Sequence, residues 1–584
     1  MKNLFSTILL ALLLTSTLAF SFNIQSMAAG GTIYIRADGS IDPATAPIQR
    51  FGDNYTFTAN VYDEIVVEKD NIVIDGVGYT VQGAEVLQIG IDLSYRNNVT
   101  LKNVEVINFT LGIYLEYSGN NTLSHNIVSS NHDIGIWLVG SSNNTLTDNI
   151  VSDNDNDGII LEDSGNNVLS GNNVSSNDSD GIRIDGAGST NNVLSGNNVS
   201  NNPSGIIVGD SWSGDSSFSI LSGNNVSNNN YGIQITEYSN NNTLIGNMVS
   251  SNHNEGIRLE GSSNNTLTDN IVSDNNNYGI IILPTVASAS GNNTLSGNNV
   301  SSNSGVGIVV GNNLYGGSSN NTLTDNIVSS NDDAGIIIRG AASMNNVLSG
   351  NTVSSNLLGI DLDYSGNNTL SGNNVHLNIY DGIDLYGSSY NVLSGNNVSS
   401  NSYYGIWLGG SPNSGSSNNT LTDNIISLNS VAGIRIGEDW DPYGSDSNVL
   451  FRNTFDANAV QASVINGLGN TWDDGYPSGG NYWSDYAGVD LYTGPYQNET
   501  GSDGIGDTPY VIDEDNQDRY PRASLAPPIP EFSGWILLPF LLLISLFAMA
   551  LKTKPKKQQN LREHSTLLSS SDLKNRIWAY AAFH

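Results

Sequence analysis

The sequence predicts an all-β chain wound as a right-handed parallel β-helix, and three regularities carry that prediction. Between Leu123 and Leu450 a Leu anchor recurs fourteen times, at intervals of 22 to 29 residues. Asn stands three and eight residues after every anchor, from Asn126 and Asn131 to Asn453 and Asn458. A Gly-Ile step follows eleven or twelve residues after the anchor in thirteen turns, from Gly135 to Gly433. A period of this length denotes a solenoid, whose units bury their apolar edges only by stacking on one another.

Within a unit, apolar and polar residues alternate with a period of two. Thr145 faces out and Leu146 in, Val151 faces in, and Ile159 and Leu161 face in after Gly158. Three short strands separated by Asn, Ser, Asp and Gly therefore fill one coil. A leucine-rich repeat would need an inward Leu where Asn is invariant. Coils stack at the strand separation of ~4.8 Å, so fourteen of them make a rod roughly 65 Å long. The recurring Asn residues are expected to hydrogen-bond along the rod at its bends and to supply the left-handed backbone that sharp bends need. The right hand is inferred from the bias of parallel crossovers.

The remaining segments follow in order. Residues 1–29, with Lys2, an apolar run and small residues near Ala28, read as a signal peptide. Residues 30–100 supply opening coils through Ile33–Ile35, Ile65–Val67, Ile72–Asp75 and Thr80–Val81, and 101–460 carry the repeats. Residues 461–521 form a cap rich in Trp, Tyr and Asp, which a solenoid needs to cover its last coil. A Pro-rich linker (522–533) leads to a transmembrane helix (534–551, with Trp535–Leu551 apolar) and a basic cytoplasmic tail (552–584). The expected arrangement is export with single-pass anchoring in the cell membrane and the large acidic domain outside.

Charge and composition exclude several classes. Residues 30–533 hold 54 acidic against 12 basic residues, which makes nucleic acid a poor partner. There is no Cys, hence no disulfide and no thiolate metal site. N-x-Ser/Thr sequons such as that at Asn143 recur with the repeat, so a glycoprotein is expected in an exported setting.

The repeat N-N-T-L-x-x-N-x-V-S-x-N-x-x-x-G-I-x-L resembles the right-handed β-helix repeats of NosD-like proteins and of the wider pectin-lyase-like superfamily. The cap sequences Gly480–Tyr486 and Asp503–Tyr510 resemble the closing segments of archaeal cell-surface proteins of that group. The resemblance implies two activities. The first is copper handling, for which NosD is known. The exported part offers only His125, His132, His253, His376, Met248 and Met344 as soft donors, so copper is not expected. The second is polysaccharide cleavage or epimerisation. The body lacks any Lys after Lys102, and with it the usual lyase base.

Candidate site residues lie two and four positions after Gly in the Gly-Ile strand, where side chains point outward. Arg339, Asp361, Asp363, Asp384, Tyr386 and Trp407 should share one face. Asp361 and Asp384 would stand ~5 Å apart, as a retaining carboxylate pair could. The plainer alternative is a solvated acidic stripe continued by Glu116, Glu162, Asp185 and Glu260 without partners. Tyr114, Trp137, Arg339, Asp363, Tyr386 and Trp407 suit carbohydrate binding by ring stacking. In the cap, Asp503, Asp507, Asp513 and Asp515 are candidate calcium ligands. The function these features favour is structural or adhesive, with glycans or neighbouring surface-layer proteins as partners and without catalysis.

Overall fold

The computed structural model describes residues 31–83, 88–209, 216–312, 317–411, 414–438 and 444–524. The expected signal peptide, the linker beyond residue 524, the Trp535–Leu551 span and the basic tail lie outside the described residues. Among the described residues there is no helix, and so none long and apolar enough to cross a membrane.

Each coil carries three strands, as in Thr145–Thr147, Ile150–Ser152 and Ile159–Glu162. Within the repeats each strand pairs in parallel with its counterpart one coil on: Leu146 opposite Leu169, Val151 opposite Val174, Leu161 opposite Ile184. Three long sheets result, named here the Leu, Val and Gly sheets after their repeat residues, with 18, 17 and 19 strands. The chain is thus a parallel β-solenoid of about 17 turns, as the Val sheet counts them. The inward Leu, Val and Ile columns are fully buried and form one continuous core. The opening coils fall where the sequence places them, at Thr32–Ile35, Glu64–Val67, Ile72–Asp75 and Thr80–Gln82. An antiparallel hairpin, Ile48–Phe51 with Asn54–Phe57, is an addition that periodicity did not foretell.

The corners are where backbone groups lose their strand partners, and the ladder Asn residues replace them. Asn149 shows the pattern. Its Oδ1 accepts from the backbone N–H of Asn126 (3.1 Å), and its Nδ2 donates to the Leu123 carbonyl (2.9 Å) and to Asn172 Oδ1 (2.9 Å). One side chain therefore ties three coils together, and a buried polar side chain is fully used. Both expected Asn ladders run this way. A third runs two residues before the anchor, from Asn121 to Asn448, with Ser219 in place of one Asn. A Ser ladder five residues before the anchor, from Ser118 to Ser445, had no place in the sequence reading; Ser141 Oγ donates to the carbonyls of Leu115 and Val139. One expectation is corrected. The ladder Asn residues are not the left-handed ones; that conformation belongs to the residue just before each, such as Asn143, Asp148 and Asp153 (φ 62°, 53° and 55°). A ladder Asn must aim its side chain inward, so the turn is made by its exposed neighbour.

Past the last coil the Val column ends in rings. Phe455 and Trp483 stack at 4.4 Å, and Trp483 and Tyr510 at 4.3 Å, with planes within 8° and 7°. The central Asn ladder ends on a carboxylate. Asn453 donates to Asn481, and the Asn481 N–H donates to Asp518 Oδ2 (2.7 Å), which also accepts from Trp483 Nε1 (2.9 Å).

Replacing Asn247 with Ala removes the acceptor for Asn224 N–H and Nδ2 and the donor to the Leu221 carbonyl. Asn224 N–H then lacks a partner, and Asn224 Nδ2, which keeps the Leu194 carbonyl, and the Leu221 carbonyl each lose a bond between coils, at about 1 kcal/mol or more each. Denaturant unfolding should show Asn247→Ala less stable by on the order of 3 kcal/mol, whereas Asn276→Ala, an exposed Asn, stays within about 0.5 kcal/mol.

Candidate functional site

The Gly of each Gly-Ile step is required by close approach. A Cβ on Gly135 would lie 2.6 Å from Val151 Cγ1 and 2.7 Å from the Gly158 carbonyl oxygen. With this corner drawn in, three columns stand on the outside of the Gly sheet, at one residue before and at two and four residues after Gly. The middle column runs Tyr114, Trp137, Ile160, Arg183 and on through Ile337, Asp361, Asp384, Trp407 and Arg435. Although it faces outward, it is sunken: Ile160, Ile281 and Asp384 are 2%, 4% and 7% exposed.

The structure brings most of the sequence candidates into one cluster. Asp361 is the register partner of Asp384, and Asp384 of Trp407; Arg339 pairs with Asp363, and Asp363 with Tyr386. Arg339 Nε donates to Asp363 Oδ2 at 3.0 Å. The Tyr386 ring lies 6.2 Å from Trp407 and 5.4 Å edge-on from Tyr364. Tyr114 and Trp137 form a separate pair, rings 5.5 Å apart, nine coils or ~43 Å from Asp361.

The idea of a single solvated acidic stripe does not hold. Glu116, Glu162, Asp185 and Glu260 occupy the column four after Gly, a different file from Asp361 and Asp384. All four have partners: Glu116 meets the Tyr95 hydroxyl, Glu162 accepts from Trp137 Nε1 (3.2 Å), Asp185 pairs with Arg183 (2.9 Å), and Glu260 pairs with Arg258 (2.9 Å). Asp185 is 2% exposed, hence not solvated.

Two features of the cluster were not anticipated. The first is a pair of short connections. Length variation between coils is concentrated in the connection from Gly to the ladder Ser, which takes six residues at Gly359–Ser365 and Gly382–Ser388 but eleven at Gly307–Ser318 and Gly405–Ser416 and twelve at Gly433–Ser445. The coils of Asp361 and Asp384 thus have short connections, beside one of eight residues at Gly335–Ser343 and one of eleven at Gly405–Ser416, and this stretch of the Gly sheet is called the notch below. This spacing was legible in the sequence. The second is unmet polarity. Asp361 Oδ1, Asp384 Oδ1 and Trp407 Nε1 are buried and have no hydrogen-bond partner among the described residues.

Burial, then the Asp363 charge, pushes the Asp361 carboxyl up to about 7. Burial and then Asp361 hold Asp384 well above the usual carboxylate range. Burial raises Asp381, beside them, to about 6. Two carboxyls one strand apart, out of water, resist holding two charges.

The carboxylates expected to bind calcium serve turns. Asp503 accepts from Thr493 Oγ1, Gln497 Nε2 and Ile505 N–H; Asp507 accepts from Leu491 and Tyr492 N–H; Asp513 accepts from Asp515 N–H and Asn516. Asp513 and Asp515 line a cleft of about 730 Å³ with Asp446 and Glu514, and Asp503 and Asp507 do not. Among the described residues no three His, Asp or Glu groups converge as a metal ion would require.

With this geometry in hand, the chain can be placed. The family described as periplasmic copper-binding protein (NosD) matches residues 58–215, 189–331 and 310–488. The chain belongs to the NosD family. No curated protein matches it. Among solved structures, the A-module of an Azotobacter vinelandii mannuronan C-5 epimerase is similar at 15% identity, covering 64% of this chain and 90% of that one, with a TM-score of 0.34. The periplasmic alginate epimerase AlgG is similar at 16%, covering 55% and 79%, with a TM-score of 0.30. No residue role is carried over from these likenesses.

The family description implies copper, and the donors do not fit it. His125 and His132 lie within 3.7 and 3.4 Å of Asp148 and Asp155, and His253 Nδ1 lies 3.2 Å from the Asn229 carbonyl. His376 stands between Ser354 and Ser399 in its column, and Met248 and Met344 are exposed in other coils. Among the described residues soft donors are dispersed singly, whereas copper needs several at one point.

The buried acids set the pH response. Asp180, Asp361, Asp381 and Asp518 titrate at about 6 to 7 when folded, against about 3.8 unfolded. Between those values the folded state holds protons that the unfolded chain has lost, so stability is greatest below the unfolded value and falls as pH rises through the folded one. Thermal melts should give a higher midpoint at pH ~5 than at pH ~8, and Asp361→Asn/Asp384→Asn should flatten the difference.

Proposed function

We propose that this protein is a cell-surface β-helix that binds saccharide in the notch around Asp361, Asp384 and Trp407, serving attachment without catalysis. The observation that carries the reading is the set of three buried, unpartnered polar atoms beside the rings of Tyr386 and Trp407. Buried polar groups without partners are uncommon and costly, and a ligand with hydroxyl groups on a ring-shaped apolar face supplies both missing bonds and stacking area. Export and membrane anchoring rest on the leader-like segment and on Trp535–Leu551 with its basic flank. In this reading residues 461–521 act as the cap, with Tyr510 and Asp518 ending the ring column and the Asn ladder.

A second reading has one observation in its favour. The stacked carboxyls Asp361 and Asp384, one carrying a proton near neutral pH, are what acid–base work on a sugar needs. The two readings separate in one experiment on polysaccharide binding and turnover. The binding reading expects Trp407→Ala to weaken saccharide binding about tenfold or more, as the loss of a stacked ring does, with no product formed by the wild type. Product formation abolished by Asp361→Asn/Asp384→Asn would replace it with the enzymatic reading, and binding unchanged by Trp407→Ala would remove it.

A further inference from the structure

The outer face of the Gly sheet is unevenly neutralised. Its four arginines each have a carboxylate at hand: Arg183 with Asp185 and Asp157 (2.9 and 3.6 Å), Arg258 with Glu260 and Glu255 (2.9 and 3.5 Å), Arg339 with Asp363 (3.0 Å), and Arg435 with Glu438 (3.9 Å). No guanidinium is left to meet an anionic ligand. Asp361 and Asp384 stand in the opposite condition. They are stacked in adjacent coils, Asp384 is 7% exposed, and among the described residues neither has an ion-pair partner and one oxygen of each has no hydrogen bond. The nearest cation, Arg339, is held by Asp363. The walls add π-faces, with Tyr386 between Tyr364 and Trp407, and such faces attract cations and gain from doing so out of water.

We infer that the notch selects a saccharide bearing a free, protonated amino group, and that it rejects uronate chains. This rests on the saccharide reading above and narrows it to a substrate class. An ammonium seated between Asp361 and Asp384 donates to both unpartnered oxygens, neutralises the pair and lies against the rings of Tyr386 and Trp407. A uronate carboxylate in the same place meets two carboxyls and no cation. A neutral hydroxyl meets the hydrogen-bonding need and leaves the charge unmet.

The test is titration calorimetry of the full chain near neutral pH and at moderate salt, with three probes of equal length: a glucosamine hexamer, an N-acetylglucosamine hexamer and a mannuronate hexamer. The glucosamine hexamer should bind at least tenfold more tightly than the acetylated one, and the mannuronate hexamer most weakly. In Asp361→Asn/Asp384→Asn the preference for the free amine should fall to about twofold or less. That variant keeps the side-chain shapes and nearly all of the chain's large negative charge, so attraction to the acidic body at large survives in it. A melting curve establishes that it is folded, and Asp363→Asn serves as a second variant that removes a carboxylate already held by Arg339. The inference is overturned if mannuronate binds as well as glucosamine, or if the amine preference survives the double substitution. Equal binding of the two glucosamine probes overturns it while leaving saccharide binding intact. If none of the three binds, the saccharide reading falls as well.

Discussion

The structure depends on one repeated interaction: an inward Asn at each corner whose amide completes the hydrogen bonds that the turning backbone cannot make for itself. A β-solenoid must bend three times per coil, and at each bend an N–H and a carbonyl face along the axis without a strand opposite them. Water is excluded by the Leu, Val and Ile columns, so an unmet group there would be costly. The Asn amide carries a donor and an acceptor at the spacing of adjacent coils, and it meets both needs at once, as Asn149 does between Leu123 and Asn172. Ala would leave the groups bare, and Asp could accept but not donate. At the C-terminal end no further coil offers a side chain to the central ladder, and there Asp518 takes the acceptor's place.

That interior regularity leaves function to the outside, where the ladder imposes nothing on side-chain identity. The Gly sheet is the favoured face because its corner is drawn in and its connection to the Ser ladder alone varies greatly in length. Side chains at its centre sink out of solvent, so polar groups there must be paired or must wait for a ligand. Arg183, Arg258, Arg339 and Arg435 are paired. Asp361 and Asp384 are not, and burial, then the Asp363 charge, raises the pKa of Asp361. The family's copper association finds no matching donor set here, which is consistent with a shared scaffold carrying different chemistry.

The fold was legible in the sequence because the repeat is strict: fixed Leu, Asn and Gly spacings state the three strands, and alternation states which side chains face in. The candidate cluster was legible in its membership, since Arg339, Asp361, Asp363, Asp384, Tyr386 and Trp407 follow from counting after Gly. What counting could not supply was depth and pairing. Whether Asp384 is solvated or sunken depends on the neighbouring columns, and whether Asp185 is free depends on Arg183 two residues away reaching back to it. The Ser ladder was missed although Ser recurs five residues before every anchor, because Ser among many Ser and Asn residues does not stand out without a structure. The φ of the corners was assigned one residue late for a similar reason, since Asn is suited both to the ladder and to the turn beside it.

The ladder is tested most directly by amide hydrogen exchange resolved to single residues, comparing the wild type with Asn247→Ala. The account predicts that the backbone N–H groups of ladder residues such as Asn126, Asn149 and Asn224 exchange as slowly as those of the buried strands, and that the substitution releases Asn224 and its neighbouring coils first. Ladder amides that exchange as fast as those of exposed, unbonded turn residues, or a substitution without local effect on exchange, would contradict it.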